Sequence, residues 1–312
     1  MVKIAIFGIG AMGSVYAAHF AEAGHQVVAI DPWKAHADAI CANGLRLEGP
    51  GADRIVTGIT ASDDPDLARG ADLVVIATKA SGVGSAARAL CPLVTPDTTV
   101  LTIQNGLGAD ERITHHLPGE NVLLGVADGF GASMQGPGHA RHTAMKLIRL
   151  GELTGGLTPR LERIAALWQG AGLTARAFSD IHQLIWEKLL CNVTLSAPCT
   201  VHGCTVGELM DDPAKWAEAL ECTQEAYACG QARKIAFSFD DPVAYVTAFA
   251  ELVRHASPSM RLDHLAGRAS EIDFINGAIP SIGQQLGIPT PTNDRLSAEV
   301  RAREASFTGR AQ

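Results

Sequence analysis

Near its N-terminus the chain reads Lys3-Ile-Ala-Ile-Phe7-Gly8-Ile9-Gly10-Ala11-Met12-Gly13, and no other stretch constrains the fold as strongly. An apolar run of β character, Ile4 to Phe7, stops at Gly8. A helical stretch from about Ala11 to Ala23 follows and stops at Gly24. A second apolar run, Val27 to Ile30, ends in Asp31. The reading is strand, helix, strand, with G-x-G-x-x-G at the first turn.

In that context each glycine has a mechanical role. Gly8 permits the tight turn, Gly10 lets the backbone approach a pyrophosphate, and Gly13 lets helix and strand pack closely. The helix N-terminus offers N–H groups and a positive dipole end to phosphates. Residues 8–13 (Gly8, Ile9, Gly10, Ala11, Met12 and Gly13) are therefore the expected dinucleotide cradle. Asp31 follows Gly13 by 18 residues. A carboxylate there accepts hydrogen bonds from the adenosine ribose and repels a 2′-phosphate, which favours NAD and leaves NADP as the alternative. Lys34 and His36, just beyond, stand to blunt that preference.

With 312 residues, 47% of them hydrophobic, the chain is long enough for two domains and a large core. No apolar run reaches the roughly 18 residues that a bilayer requires, and the chain enters a strand at once, so neither membrane span nor signal peptide is expected. A net charge of −8 argues against a nucleic-acid partner. The seven cysteines are scattered without C-x-x-C, as expected of free thiols in a reducing cytoplasm. Cys199-x-x-His202-x-Cys204 lacks a fourth ligand, and no metal is expected.

Further strands and helices alternate to about residue 178. Residues 37–47 read as a short helix leading to Asn43-Gly44 and another strand, and Arg54–Thr60 reads as a strand. Asp72–Lys79 is a buried parallel strand that places Lys79 at a carboxyl end, where ligands of doubly wound sheets gather. Helix 82–91 and strand 98–103 lead to Gln104-Asn105-Gly106. There Asn105 is either a common turn residue or an amide that orients nicotinamide or substrate. Val122–Val126 is a strand. The glycine-rich stretch 125–138 is a loop or loose hairpin, with His139 and His142 as hairpin or surface residues. Strand 144–150, helix 157–171 and strand 174–178 follow. Beyond Ser179 the pattern turns helical, which sets domains at 1–179 and 180–312. The fold class is α/β: an N-terminal Rossmann dinucleotide-binding domain followed by an all-helical C-terminal domain.

A helix is expected from Ile181 to Ser196, ended by Pro198. It is apolar from Leu184 on, yet Lys188, Asn192 and Ser196 recur every four residues on one face. A polar row on a helix suited to burial needs polar partners, and a cleft between domains would supply them. Hydride reduction of a ketone builds negative charge on oxygen. A lysine ammonium stabilises that charge and donates the proton, most efficiently if partial burial lowers its pKa toward neutral, and an amide one turn on holds the same oxygen. Val206 to about Ile235 reads as one long helix and 241–255 as another. Ser257-Pro258-Ser259-Met260 reads as a helix start with Ser257 as N-cap, placing the Ser259 hydroxyl and free N–H groups to bind a carboxylate. That helix is expected to continue through Glu271 to Gly277, with Ile272, Ile275 and Ile279 as its buried stripe, until Pro280 kinks or ends it. A last helix spans 293–305.

Taken together, Gly8-x-Gly10-Ala11-Met12-Gly13, Ala77-Thr78-Lys79, Gln104-Asn105-Gly106, Trp186-Glu-Lys188-Leu-x-x-Asn192, Ser257-Pro-Ser259-Met260 and Glu271-Ile-Asp-x-Ile-Asn276-Gly277 resemble the ketopantoate reductase (2-dehydropantoate 2-reductase) family, in family order along the whole chain. The resemblance implies a Rossmann domain, a helical domain and reduction of 2-oxopantoate, usually with NADPH. It implies Lys188 as general acid, Asn192 at the C2 oxygen, Ser259 on the substrate carboxylate and Glu271 organising substrate or cofactor. Lys79 and Asn105 then lie beside the nicotinamide. The chain departs from the family at Ser196, Val206 and Ala256, each standing where the family usually has asparagine, and at Asp31. The expected protein is a cytoplasmic, NADH-preferring oxidoreductase of a small anionic 2-oxo or 2-hydroxy acid. The alternatives are a dehydrogenase of another small hydroxy acid and a non-catalytic dinucleotide sensor. The long helices of the second half are compatible with a homodimer.

Overall fold

Apolar β-branched runs separated by glycine turns form strands here because they are buried on both faces, as parallel sheets require. The computed structural model describes residues 1–49, 52–129, 131–144 and 146–307. The strands are β1 (Lys3–Phe7), β2 (Gln26–Ile30), β3 (Leu45–Gly49), β4 (Ala52–Val56), β5 (Ile59–Ser62), β6 (Leu73–Ile76), β7 (Thr99–Thr102), β8 (Val122–Asp128), β9 (Gly131–Gly136), β10 (His139–Ala144), β11 (Leu147–Glu152) and β12 (Ala175–Phe178). The helices are α1 (Ala11–Glu22), α2 (Lys34–Asn43), α3 (Val83–Leu90), α4 (Ala109–Thr114), α5 (Pro159–Gly170), α6 (Ile181–His202), α7 (Val206–Asp211), α8 (Pro213–Ala232), α9 (Pro242–Leu252), α10 (Ser259–Leu265), α11 (Ala278–Leu286) and α12 (Pro291–Glu304).

The main sheet has eight strands in the order β12-β11-β8-β7-β6-β1-β2-β5. It is parallel except for the antiparallel β11–β8 pair. The order reverses about β1, whose neighbours β2 and β6 lead in opposite directions through the sheet, and this is the switch point at which doubly wound folds bind ligands. A second sheet runs β4-β3-β10-β9. The mixed α/β sheet unit comprises residues 1–104 and 108–181; the helical unit comprises 105–107 and 182–312. Tyr16, Phe20 and Trp168 pack edge-on in the core of the first unit. α6, α8, α11 and α12 enclose the main core of the second.

Several elements differ from the sequence reading. The run Arg54–Thr60 divides at the positive-φ Gly58 into β4 and β5, which belong to different sheets. The helix before Asn43-Gly44 starts earlier, at Lys34. The glycine-rich stretch 125–138 contributes the end of β8 and the β9–β10 hairpin; Phe130 within it, and Met145 within the expected strand 144–150, lie outside the described residues. Pro198 does not end α6, which runs on to His202. Proline inside a helix costs about 3 kcal/mol, but Ala197 and Cys199 are wholly buried and Thr200 nearly so, and tertiary burial outweighs that cost. The stretch 206–235 is two helices, because the Asp212 carboxylate caps the N–H groups of Ala214 and Lys215 and Pro213 takes the first position of α8. Ser257 is not an N-cap: Pro258 occupies that position and Ser259 is the first helical residue. α10 ends before the positive-φ Gly267 instead of continuing to Gly277, and Ile272–Phe274 forms a separate 3-10 turn. Ile272, Ile275 and Ile279 are nevertheless buried. Pro280, expected to kink or end the helix through Gly277, is instead the third residue of the separate helix α11, where no intrahelical N–H is needed.

Candidate active site

In the sheet unit the glycine turn is shaped by two close approaches. Gly8 has φ +89°, and a Cβ there would lie 2.7 Å from the Thr78 backbone nitrogen. A Cβ on Gly13 would lie 1.9 Å from the Gly8 carbonyl oxygen. Gly10 is different: a Cβ built there meets nothing within 4 Å. It is also the N-cap of α1 and has no side-chain cap. Open space over an uncapped helix N-terminus fits a pyrophosphate. Ala11 and Met12 begin that helix. The Ile9 side chain is wholly buried, and its backbone N–H donates to Asp31 Oδ2 at 2.8 Å.

Asp31 also accepts the Trp33 N–H on Oδ1 at 2.9 Å. Each oxygen keeps a further lone pair for ribose hydroxyls. Lys34 is exposed and lies 3.4 Å from Asp38. His36 is not placed to offset the negative charge of Asp31. Its ring is wholly buried, Nδ1 accepts the Gly138 N–H at 2.7 Å, and Nε2 lies 3.3 Å from Ser14 Oγ. Burial holds its pKa below the ordinary histidine value. A neutral, enclosed imidazole offers no charge to a 2′-phosphate. Lys79 is exposed and caps the 3-10 turn that begins at Ala80. Beside it, Gln104 Nε2 donates to the Ile76 carbonyl at 2.7 Å and so ties together the ends of β6 and β7.

In the helical unit, α6 carries Lys188 and Asn192 half-buried and Ser196 buried. The helix is pinned on both sides of these residues. Glu187, buried, accepts the Gln183 side-chain amide at 3.0 Å and the Ser238 N–H at 2.7 Å. Thr194 Oγ1 lies 2.6 Å from Thr223 Oγ1 on α8. Asn276, wholly buried, donates to the Val193 carbonyl at 2.8 Å and to Asn293 Oδ1 at 3.0 Å. Nothing in the spacing of the sequence marks Glu187 or Asn276 as supports for this helix.

Two expected site residues from distant parts of the chain come together. Asn105 Nδ2 donates to Glu271 Oε2 at 3.5 Å. The contact is built by the backbone: Leu107 N–H donates to the Phe274 carbonyl at 2.8 Å, and a Cβ on Gly106 (φ +81°) would sit 2.0 Å from that same oxygen. The glycine therefore serves an approach to the 3-10 turn after Glu271. Ser259 is exposed at the start of the seven-residue α10. Ser257 Oγ accepts from the Arg261 guanidinium. Val206 N–H donates to the Ala256 carbonyl at 3.1 Å, so two of the three departures from the family asparagines are neighbours. His202 pairs with Glu218 at 2.7 Å, and burial pushes the Cys199 thiol pKa up. Among the described residues no group of three or more metal-ligating side chains is gathered.

The family model for ketopantoate reductase matches residues 4–155, and the model of that family's C-terminal domain matches residues 180–304. The chain belongs to the ketopantoate reductase family. It is accordingly a nicotinamide-dependent oxidoreductase. A 2-dehydropantoate 2-reductase of Streptococcus pyogenes serotype M1 is 30% identical over 301 residues, 96% of this chain and 97% of the relative. The crystal structure of a ketopantoate reductase from Ralstonia eutropha JMP134 superposes with TM-score 0.89 at 32% identity, covering 98% of this chain and 99% of that one. The ternary structure of D-mandelate dehydrogenase with NADH and anilino(oxo)acetate superposes with TM-score 0.90 at 28% identity, with the same coverage.

Proposed function

We propose that this ketopantoate reductase family member is an NADH-preferring reductase of 2-oxo acids, with Lys188 as its general acid. The observation that carries the reading is the polar face of α6, where Lys188, Asn192 and Ser196 share one side of a helix otherwise given to the core. Asp31 at the end of β2 supports NADH, since its carboxylate repels a 2′-phosphate and His36 offers no compensating charge. A structural neighbour solved with NADH and an oxo acid accords with both halves of the reading.

When bound, the reduced nicotinamide supplies a hydride to the carbonyl carbon. The residues of this chain do the rest. The Lys188 ammonium stabilises the charge growing on the carbonyl oxygen and delivers a proton to it, leaving a neutral amine that solvent reprotonates. The Asn192 amide donates to the same oxygen. The Ser259 hydroxyl takes the substrate carboxylate. Asn105 and Glu271, already in contact, orient the substrate and the nicotinamide end, with Lys79 on the cofactor side.

A second reading concerns the group on C2. Val206 is buried and Ala256 carries only a methyl group, so neither offers the amide of a family asparagine to a hydroxylated substituent. Losing such a partner costs about 1–3 kcal/mol, which favours a 2-oxo acid with an apolar substituent over 2-oxopantoate.

The test is NADH oxidation by the purified protein with 2-oxopantoate and with phenyl- and alkyl-substituted 2-oxo acids, with NADPH in parallel. Turnover on 2-oxopantoate assigns the family reaction, and turnover confined to the apolar acids assigns the second reading. NADH binding without turnover on any oxo acid makes the protein a dinucleotide sensor and overturns both.

A further inference from the structure

Trp33 is placed unlike the other tryptophans of the chain. Trp168 and Trp186 are core residues and Trp216 packs against a satellite cluster, whereas Trp33 is 38% exposed. One face of its indole is covered. It stacks on the His36 ring, with centroids 4.8 Å apart and planes within 19° of parallel. The exposed area therefore lies on parts of the residue that His36 does not cover.

The ring beneath it is unusually well fixed. His36 Nδ1 accepts the Gly138 N–H, and Gly138 lies in the β9–β10 hairpin. Ser14 Oγ donates to the Ile9 carbonyl at 2.8 Å, which leaves its lone pairs to accept from His36 Nε2–H. The imidazole is thus anchored to the glycine turn on one side and to a separate sheet on the other. The Trp33 backbone is anchored as well, through its N–H to Asp31 Oδ1. A large aromatic face on the surface, ordered by this many bonds, is prepared to receive another flat ring.

The order of groups along the protein matches the order along a dinucleotide. The open position over Gly10 suits the pyrophosphate. Asp31, bonded to Ile9 in the same turn, suits the ribose. Trp33, bonded to Asp31, comes next, where the base must lie.

We propose that Trp33 is the platform on which the adenine ring of the cofactor stacks, on the indole face opposite the one that His36 covers. The proposal rests on reading residues 8–13 and Asp31 as the dinucleotide site; it does not depend on the substrate. Stacking uses the face of the base and not its edges. The platform therefore contributes affinity for the adenosine half as a whole.

The experiment is calorimetric titration of the full-length protein with ADP-ribose, which carries the adenosine half of the cofactor without the nicotinamide. Wild type, Trp33→Ala and Trp33→Phe are compared, together with indole emission during each titration and the urea midpoint of each variant. The expected result for Trp33→Ala is affinity weakened about tenfold, the scale of one lost base–aromatic stack, with an unchanged urea midpoint. Trp33→Phe restores most of the affinity but loses the emission quenching that ADP-ribose causes in the wild type. Should Trp33→Ala fail to fold, loss of quenching in Trp33→Phe carries the proposal. Wild-type affinity in Trp33→Ala overturns it, as does quenching that persists in Trp33→Phe. Failure of the wild type to bind ADP-ribose overturns the dinucleotide reading itself.

Discussion

The Ile9 N–H donates to Asp31 Oδ2 at 2.8 Å, so the acid that ends β2 also holds the glycine turn that follows β1. Asp31 therefore has two roles that one substitution can separate. In Asp31→Asn the single amide oxygen can still accept the Ile9 N–H, at the loss of the bond from the Trp33 N–H, and the negative charge is gone. One like-charge repulsion across a few ångströms near a protein surface amounts to about 1–4 kcal/mol. The expected outcome is an NADPH-to-NADH ratio of kcat/KM raised tenfold or more, with modest loss on NADH. Asp31→Ala, which also releases the turn, is expected to lose affinity for both cofactors. Initial rates with each cofactor check this.

Two of the turn glycines, Gly10 and Gly13, respond differently to a methyl group. Gly13→Ala would bring Cβ to 1.9 Å from the Gly8 carbonyl. The turn cannot absorb that approach, and the protein is expected to lose several kcal/mol of stability, about the range of severe overpacking. Gly10→Ala meets no protein atom, so its thermal midpoint should stay near that of the wild type while dinucleotide affinity falls. Calorimetry with NADH alongside thermal unfolding distinguishes the two. Equal destabilisation by both variants would contradict the open space over Gly10.

The strand–turn–helix around the glycine turn, the position of Asp31 at the end of β2 and the polar row on α6 were legible because each is local: a few residues at fixed spacing imply the element and each residue's place on it. Asp212-Pro213 was equally local, a helix start written within a helical stretch that reading 206–235 as one helix passes over. Other features depend on partners far along the chain. Pro198 stays helical only because of what surrounds its turn, and a single sequence does not show that burial. His36 reads as a residue able to offset Asp31 until the hairpin, some hundred residues on, brings the Gly138 N–H to its ring. The grouping of Asn105–Leu107 with the helical unit, against Phe274, likewise has no local signal.

The enclosure of His36 has a consequence for pH. Its folded pKa lies below the unfolded value of 6.5, chiefly through burial. As pH falls through about 6.5 the unfolded chain takes up a proton that the folded chain refuses, so the stabilising contribution is complete above that pH and is lost on acidification toward the folded pKa. His36→Gln removes the titration. The difference in unfolding free energy between wild type and variant, measured by urea titration from pH 7.5 to 5, is expected to shrink as pH falls. A difference constant with pH would show that His36 is not held neutral.

Lys188 should act on chemistry and not on cofactor binding. Removing a general acid lowers rate by about 10²–10⁴-fold. Lys188→Ala is expected to lose kcat on that scale while binding NADH with wild-type affinity. Lys188→Arg keeps charge but transfers a proton poorly, and should retain only a small part of the rate. Rapid-mixing turnover paired with calorimetry checks both, and unchanged turnover in Lys188→Ala would remove the lysine from the reaction.

Asn276 offers a test of how α6 is held. Its amide spans from the Val193 carbonyl to Asn293 Oδ1, both buried, and Val193 follows Asn192 directly. Asn276→Leu is similar in size but leaves both acceptors without this donor. Each buried acceptor so deprived costs about 1–3 kcal/mol, so the urea midpoint should fall clearly. The same loss frees the turn that carries Asn192. Asn276→Asp restores an acceptor of the same shape but puts a carboxylate beside two oxygens, and it should be worse than Asn276→Leu because a buried charge facing acceptors has no partner. For variants that remain folded, kcat should fall more than NADH affinity, because the glycine turn and Asp31 are untouched. A stability loss with undiminished kcat would show that Asn276 supports the core without setting the geometry of Asn192.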